Sequence, residues 1–122
     1  LVSADILDAM GGAADGIITA DYYSASLDTP ENQAWVKKYV KLYGAKPSKF
    51  SVSSYEAIMW LNQAIKQAGS LETDKVIAAM EGSTYEGPQG KKTMDPETHQ
   101  ASLTVYMMKI ENGEREIFAE VK

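Results

Sequence analysis

Apolar and polar positions repeat with two different periods along this chain, and the change of period separates strand-like ends from a helical middle. Residues 16–23, GIITADYY, form a mostly apolar, β-branched run of strand length. That pattern fits a strand covered on both faces, for which a parallel sheet is the natural host. From Asp28 the period lengthens. In DTPENQAWVKKYVKLYG, residues Trp35, Val36, Tyr39, Val40 and Tyr43 mark one helical face, and Lys37, Lys38 and Lys41 mark a solvated one. Thr29 offers an oxygen to the first orphan N–H groups, Pro30 suits the first turn, Glu31 suits the positive end of the dipole, and Gly44 stops the helix.

A second helix is predicted in SVSSYEAIMWLNQAIKQAG, with Ser53 and Glu56 at capping-box spacing, a buried stripe of Ile58, Leu61, Ile65 and Ala68, and Gly69 as its end. A third runs from Thr73 to Gly82 with Val76, Ile77 and Met80 inward, and a short one near the start is capped by Ser3, carries Ile6, Leu7 and Met10 on one side, and ends at Gly11-Gly12. The tail returns to strand composition: SLTVYMMKI and REIFAEV flank Glu111-Asn112-Gly113-Glu114, whose Asn-Gly pair favours a type I′ hairpin turn. Between lies STYEGPQGKKTMDPETHQA, a turn-rich connection with room for a short strand at Lys91–Met94. Strand-like ends around a helical middle make an awkward single globule. Two units sharing an interleaved chain solve this, with residues 1–22 and 88–122 in one and 23–87 in the other.

Composition narrows the partners. The chain has 122 residues, 44% hydrophobic and 24% charged, enough for one modest core. Acidic residues outnumber basic ones, 17 to 12, and the basic ones are scattered, which disfavours nucleic acid and anionic membranes as partners. Absence of cysteine removes thiolate chemistry and Cys-ligated zinc. No apolar run approaches the ~20 residues that span a bilayer, and LVSADILDAM lacks the regions of a signal peptide. The first residue is not Met, as expected of a processed or truncated N-terminus.

Catalytic chemistry finds little support. His99 is the single histidine, has no nucleophile elbow to serve, and sits in the polar turn DPETHQ, where local hydrogen bonding is its expected role. Asp95, Glu97 and His99 alternate through a Pro-containing turn that aims them poorly at one metal. GPQGKK fails as a phosphate loop, because Tyr85 stands where the first Gly belongs and Lys92 where Ser or Thr should hold Mg²⁺. The carboxylate pairs Asp5/Asp8 and Glu114/Glu116 fall on solvated faces, and no cofactor is implied. The aromatics stand out instead: Tyr22 and Tyr23 at a strand end, Tyr55 and Trp60 on the second helix. Tyrosine suits a cleft that is apolar inside and wet at its rim. For Trp35, Tyr39 and Trp60, core packing is the simpler reading.

The segments GGAADGIITADYYSASLDTPENQAWVKKYVKLYG, SSYEAIMWLNQAIKQAGS, DKVIAAMEG and GPQGKKTMDPETHQA together resemble the C-terminal third of type I periplasmic binding proteins, in particular the branched-chain amino acid, urea and short-chain amide binders of ABC transporters. The resemblance implies an α/β fragment of a two-lobed fold, with residues 1–22 in the C-terminal lobe, 23–87 in the N-terminal lobe and 88–122 as return crossing and C-terminal lobe hairpin. It implies a non-catalytic receptor, periplasmic or extracellular and signal- or lipid-directed as a precursor, that hands a small amino acid or amide-like solute to a membrane permease. Tyr23, then Tyr22, are the implied ligand-binding residues, with hinge packing as the competing role. The family's principal ligand groups lie in the N-terminal two thirds, and with most of each sheet missing too, this piece taken alone is expected to expose apolar strand faces and edges and to self-associate or swap domains. A ligand-sensing regulator of the same fold is the alternative, followed by a small hydrolase or metal enzyme using His99 and by an independent module binding protein through its hairpin edge.

Overall fold

The computed structural model describes residues 4–121, in the order α1 (Ala4–Met10), a 3-10 turn (Gly11–Ala14), β1 (Ile18–Asp21), α2 (Pro30–Tyr43), α3 (Lys49–Ala68), α4 (Thr73–Met80), β2 (Thr84–Gly87), β3 (Gly90–Thr93), β4 (Val105–Glu111) and β5 (Glu114–Val121). The Ser3 cap and the side chains of Asp5 and Asp8 lie outside the described residues. Two sheets form. One is three-stranded, ordered β1-β4-β5, and the other is the β2-β3 pair. Every pairing is antiparallel, including β1 with β4, where Ile18 faces Lys109 and Asp21 faces Tyr106. The apolar run at residues 16–23 therefore does not enter a parallel sheet, and it is not covered on both faces, since Ile18 is exposed and Asp21 buried. Its partner strand lies far along the chain, where no local pattern signals its direction.

Local chemistry sets the helix ends. Thr29 accepts a hydrogen bond from the Asn32 N–H, Pro30 opens α2, and Gly44 closes it at φ 71° with its N–H donating to the Val40 carbonyl. For α3 the start differs from the sequence reading. Ser48 caps it by accepting from the Ser51 N–H, so Ser53 and Glu56 lie inside the helix and form no capping box. Its covered stripe is Val52, Glu56, Trp60 and Ala64, whereas Ile58 and Leu61 are exposed and Ile65 and Ala68 half-buried. In α4, Val76 is buried, Met80 partly so, and Ile77 exposed. The β4–β5 hairpin turns through Asn112 (φ 53°) and Gly113 (φ 76°), the left-handed pair that an Asn-Gly type I′ turn requires.

Two small apolar clusters hold the sheet. Leu7, Ala14 and Ile110 pack with Met10 and Ile17, and Leu27, Tyr106 and Met108 pack with Ile117. On the helical side α3 and α4 pack together, and the β2–β3 hairpin lies on α3. Trp60 is buried as expected, stacked on Tyr85 with centroids 6.0 Å apart and donating its Nε1–H to Ser83 Oγ at 2.9 Å. The turn-rich connection thus contains two strands, β2 being the one that periodicity does not reveal.

Candidate functional site

At the end of β1 the two tyrosines part company. Tyr23 is wholly buried, its hydroxyl donating to Asn32 Oδ1 at 2.9 Å. The Asn32 amide nitrogen in turn donates to the carbonyls of Ala25 (3.2 Å) and Leu27 (2.8 Å), so the segment after the strand wraps around the first turn of α2. Burial raises the Tyr23 pKa, the nearby Glu56 charge raises it further, and Arg115 works against both. The phenol therefore stays a proton donor. Its ring meets Trp35 edge-on, 6.4 Å between centroids at 81°.

Tyr22 is half-buried and sits beside a buried charge cluster. Its N–H donates to Asp21 Oδ1 at 2.9 Å, while Asp21 Oδ2 accepts from Lys49 Nζ at 3.1 Å and from an Arg115 guanidinium nitrogen at 3.3 Å. Lys49 Nζ also lies 5.4 Å from the Tyr22 ring centroid, within cation–π range.

Behind Tyr23 opens a groove of about 800 Å³ between α2, α3 and the β2–β3 turn, lined by Trp35, Tyr39, Tyr43, Tyr55 and Tyr85, with Glu31, Lys38 and Glu86 among its charged groups. Its rings touch in series: Trp35 lies 5.2 Å from Tyr39 and 5.5 Å from Tyr55, and Tyr39 lies 4.5 Å from Tyr43. Trp35 and Tyr39 are half-buried wall residues rather than core. Beside the groove, the buried Glu56 accepts the Gln89 N–H on Oε1 at 2.7 Å and pairs through Oε2 with Lys92, which also donates to Gln89 Oε1. This clamp fixes the hairpin that carries Tyr85, whose own pKa is raised by burial first and then by Tyr55 and Glu56.

These side chains can enclose an apolar or aromatic body and present donors at its edge. They offer no nucleophile–base pair. His99 lies in an exposed turn at φ 55°, its Nε2 2.9 Å from Glu81 Oε1, a hydrogen-bonding role as expected but with a partner 18 residues away, at the end of α4, instead of within its own turn. Asp95 instead accepts the N–H groups of Thr98 and Glu97 and the Thr98 hydroxyl, bonds that hold its carboxyl below the ordinary range. Among the described residues, no three His, Cys, Asp or Glu side chains gather to hold a metal, and no helix is long and apolar enough to cross a membrane.

The profile of the family described as periplasmic binding protein matches residues 1–115. The chain belongs to the periplasmic binding protein family. Similar members include Leu/Ile/Val-binding protein homolog 6 of Brucella abortus (strain 2308), 29% identical over 107 residues, which make up 85% of this chain and 27% of that protein. The solute binding protein of an ABC transporter from Rhodopseudomonas palustris BisB5, solved with 3,4-dihydroxybenzoic acid, is 35% identical and superposes with a TM-score of 0.90 over 98% of this chain and 34% of its own. A second from R. palustris HaA2, solved with p-hydroxybenzoic acid, is 29% identical, with a TM-score of 0.85 over 99% of this chain and 35% of its own. This periplasmic binding protein chain thus spans about a third or less of the length of those relatives, as a fragment of their larger two-lobed fold. The relatives are named as binding proteins, and none as an enzyme.

Sequence reasoning reached the tyrosines but not Asn32, Lys49, Glu56, Lys92 or Arg115. For Glu56 a signal existed. Its i±4 neighbours are Val52 and Trp60, so a helix burying those two residues carries the carboxylate inward with them.

Proposed function

We propose that this chain forms part of the solute-binding component of an ABC transporter, which captures a small carboxylic acid between two closing lobes outside the cytoplasmic membrane and delivers it to a permease. The observation that carries this reading is the family match across residues 1–115. We assign residues 1–22 to the C-terminal lobe and the α2–α4 helices to the N-terminal lobe. The β2–β3 hairpin goes with the helices because Glu56 holds it there, so the return crossing is drawn at residues 94–104, before the C-terminal lobe hairpin. Tyr22, half-buried beside Lys49, is the ring proposed to meet the solute. Tyr23 supports Trp35 from behind, because its hydroxyl is already held by Asn32.

An aromatic acid is the favoured solute. Relatives from R. palustris were solved with dihydroxybenzoic and hydroxybenzoic acids, and the Tyr22 ring offers a planar aromatic acid a face to stack on. A branched-chain amino acid is the second reading, favoured by the name of the Brucella relative. Calorimetric titration of the intact polypeptide that carries this chain, with 4-hydroxybenzoate, benzoate, leucine and urea, decides the matter. Saturable binding of the benzoates alone is expected. Binding of leucine alone selects the second reading, and binding of none of the four overturns both.

A further inference from the structure

Beyond the edge-on contact of the Tyr23 ring with Trp35, no buried apolar cluster among the described residues joins the three-stranded sheet to the α2–α4 helices. Among the described residues, one buried apolar cluster draws on α1, the segments beside β1 and β4, the other on Leu27, β4 and β5, and neither includes a residue of α2, α3 or α4. Polar contacts make the connection instead. Asp21 ends β1, Lys49 begins α3 and Arg115 lies near the start of β5; their side chains are only 2%, 11% and 4% exposed, and both cations meet the same carboxylate oxygen. Around them, the hydroxyls of Ser24 (3.3 Å) and Ser26 (2.9 Å) donate to the Arg115 carbonyl. Lys46 and Glu114 pair at 2.5 Å on the exposed side. An exposed pair of that kind contributes little, because solvent screens it.

A buried trio behaves differently. Removing one partner leaves charge uncompensated in a low-dielectric setting. Without Asp21, Lys49 and Arg115 become two like charges facing each other across the junction, one fixed to a helix and the other to the sheet. Ionic hydrogen bonds are also directional, whereas apolar surfaces tolerate sliding. We propose that Asp21 is a positioning residue whose carboxylate, shared by Lys49 and Arg115, sets the angle between the three-stranded sheet and the α2–α4 helices. Its bearing on solute capture, through the geometry at which two lobes meet, rests on the receptor reading; the angle itself does not.

The chain has no cysteine, so two spin labels can be attached at Asn62→Cys on α3 and Glu116→Cys on β5 and the distance between them measured by pulsed electron resonance. Labelled protein is diluted with unlabelled protein so that distances between molecules do not contribute. A single narrow distance distribution is expected for the unsubstituted trio, and a shifted or broadened one for Asp21→Asn with helical circular dichroism retained. Asp21→Glu should restore the narrow distribution in part, a rescue that loss of packing would not show. Lys49→Met keeps the neutral Asp21–Arg115 pair and serves where Asp21→Asn fails to fold, with the same shift expected. An unchanged distribution in a folded variant overturns the proposal. Loss of folding in both variants also overturns it, by assigning the trio to stability alone. Because no solute enters the measurement, its failure is distinct from failure of the benzoate titration.

Discussion

A phenol cut off from water holds its proton more tightly than one at the surface, and Tyr23 is such a phenol. Its folded-state pKa lies above the ordinary 10.0 of an unfolded chain. The resulting stabilisation is therefore complete below pH 10.0 and is lost as pH rises through that value toward the folded-state pKa. Replacing Tyr23 by Phe should lower stability near neutrality by about 1–3 kcal/mol, because Asn32 Oδ1 is left buried without its donor. In alkali the unsubstituted chain loses the ionisation-linked part and the Phe variant does not, so the two should converge. Urea unfolding midpoints on both sides of the ordinary tyrosine pKa measure this, and a gap that stays constant or widens in alkali contradicts it.

The helix α3 and the β2–β3 hairpin depend on a contact only glycine permits. A Cβ built on Gly87 would stand 2.6 Å from a ring carbon of Tyr85 and 2.7 Å from Glu56 Oε1, so Gly87→Ala must displace the clamp or the ring. A loss of about 1–3 kcal/mol is expected from such overpacking, read as a lower thermal midpoint together with changed near-ultraviolet dichroism from Trp60, which stacks on Tyr85. An unaltered midpoint would show that the hairpin yields freely. The same element shows what a sequence reveals and what it hides. Thr29, Gly44, Gly69 and the Asn112-Gly113 turn were legible because cap and turn chemistry acts within a few residues. Periodicity identified α3 as a helix but chose the wrong stripe, since the buried carboxylate of Glu56 is acceptable only through Lys92 on a distant strand. Strand β2, the polar TYEG, had no pattern of its own and is held by β3 and Trp60. Of the residues around the groove and strand end, the rings were visible by type and position, whereas Lys49 and Arg115 gain their meaning only when folding brings both to Asp21.

At the scale of the molecule, Ile58 and Leu61, half of the apolar stripe that periodicity marked for burial, are left open, and other large apolar side chains are open with them. Ile58 is 66% exposed, Phe50 61% and Leu71 82%, and large apolar side chains in such number on one small chain favour association. At rising concentration, sedimentation velocity of the 122-residue chain should show species heavier than a monomer. Ile58→Lys combined with Leu61→Lys should reduce them while leaving the unfolding midpoint nearly unchanged, because both residues are exposed. Monomer at every concentration would oppose this. The order β1-β4-β5 carries a directional consequence as well. The β5 margin bears the acidic Glu114, Glu116 and Glu120, with Glu114 paired to Lys46, charged side chains of the kind that discourage an incoming strand, while Ile18, Thr19 and Ala20 of β1 carry no charge. Any extension of this sheet, whether by another stretch of receptor or by the first layer of a fibril, is therefore steered to the β1 margin, and the hairpin margin remains the terminus of growth.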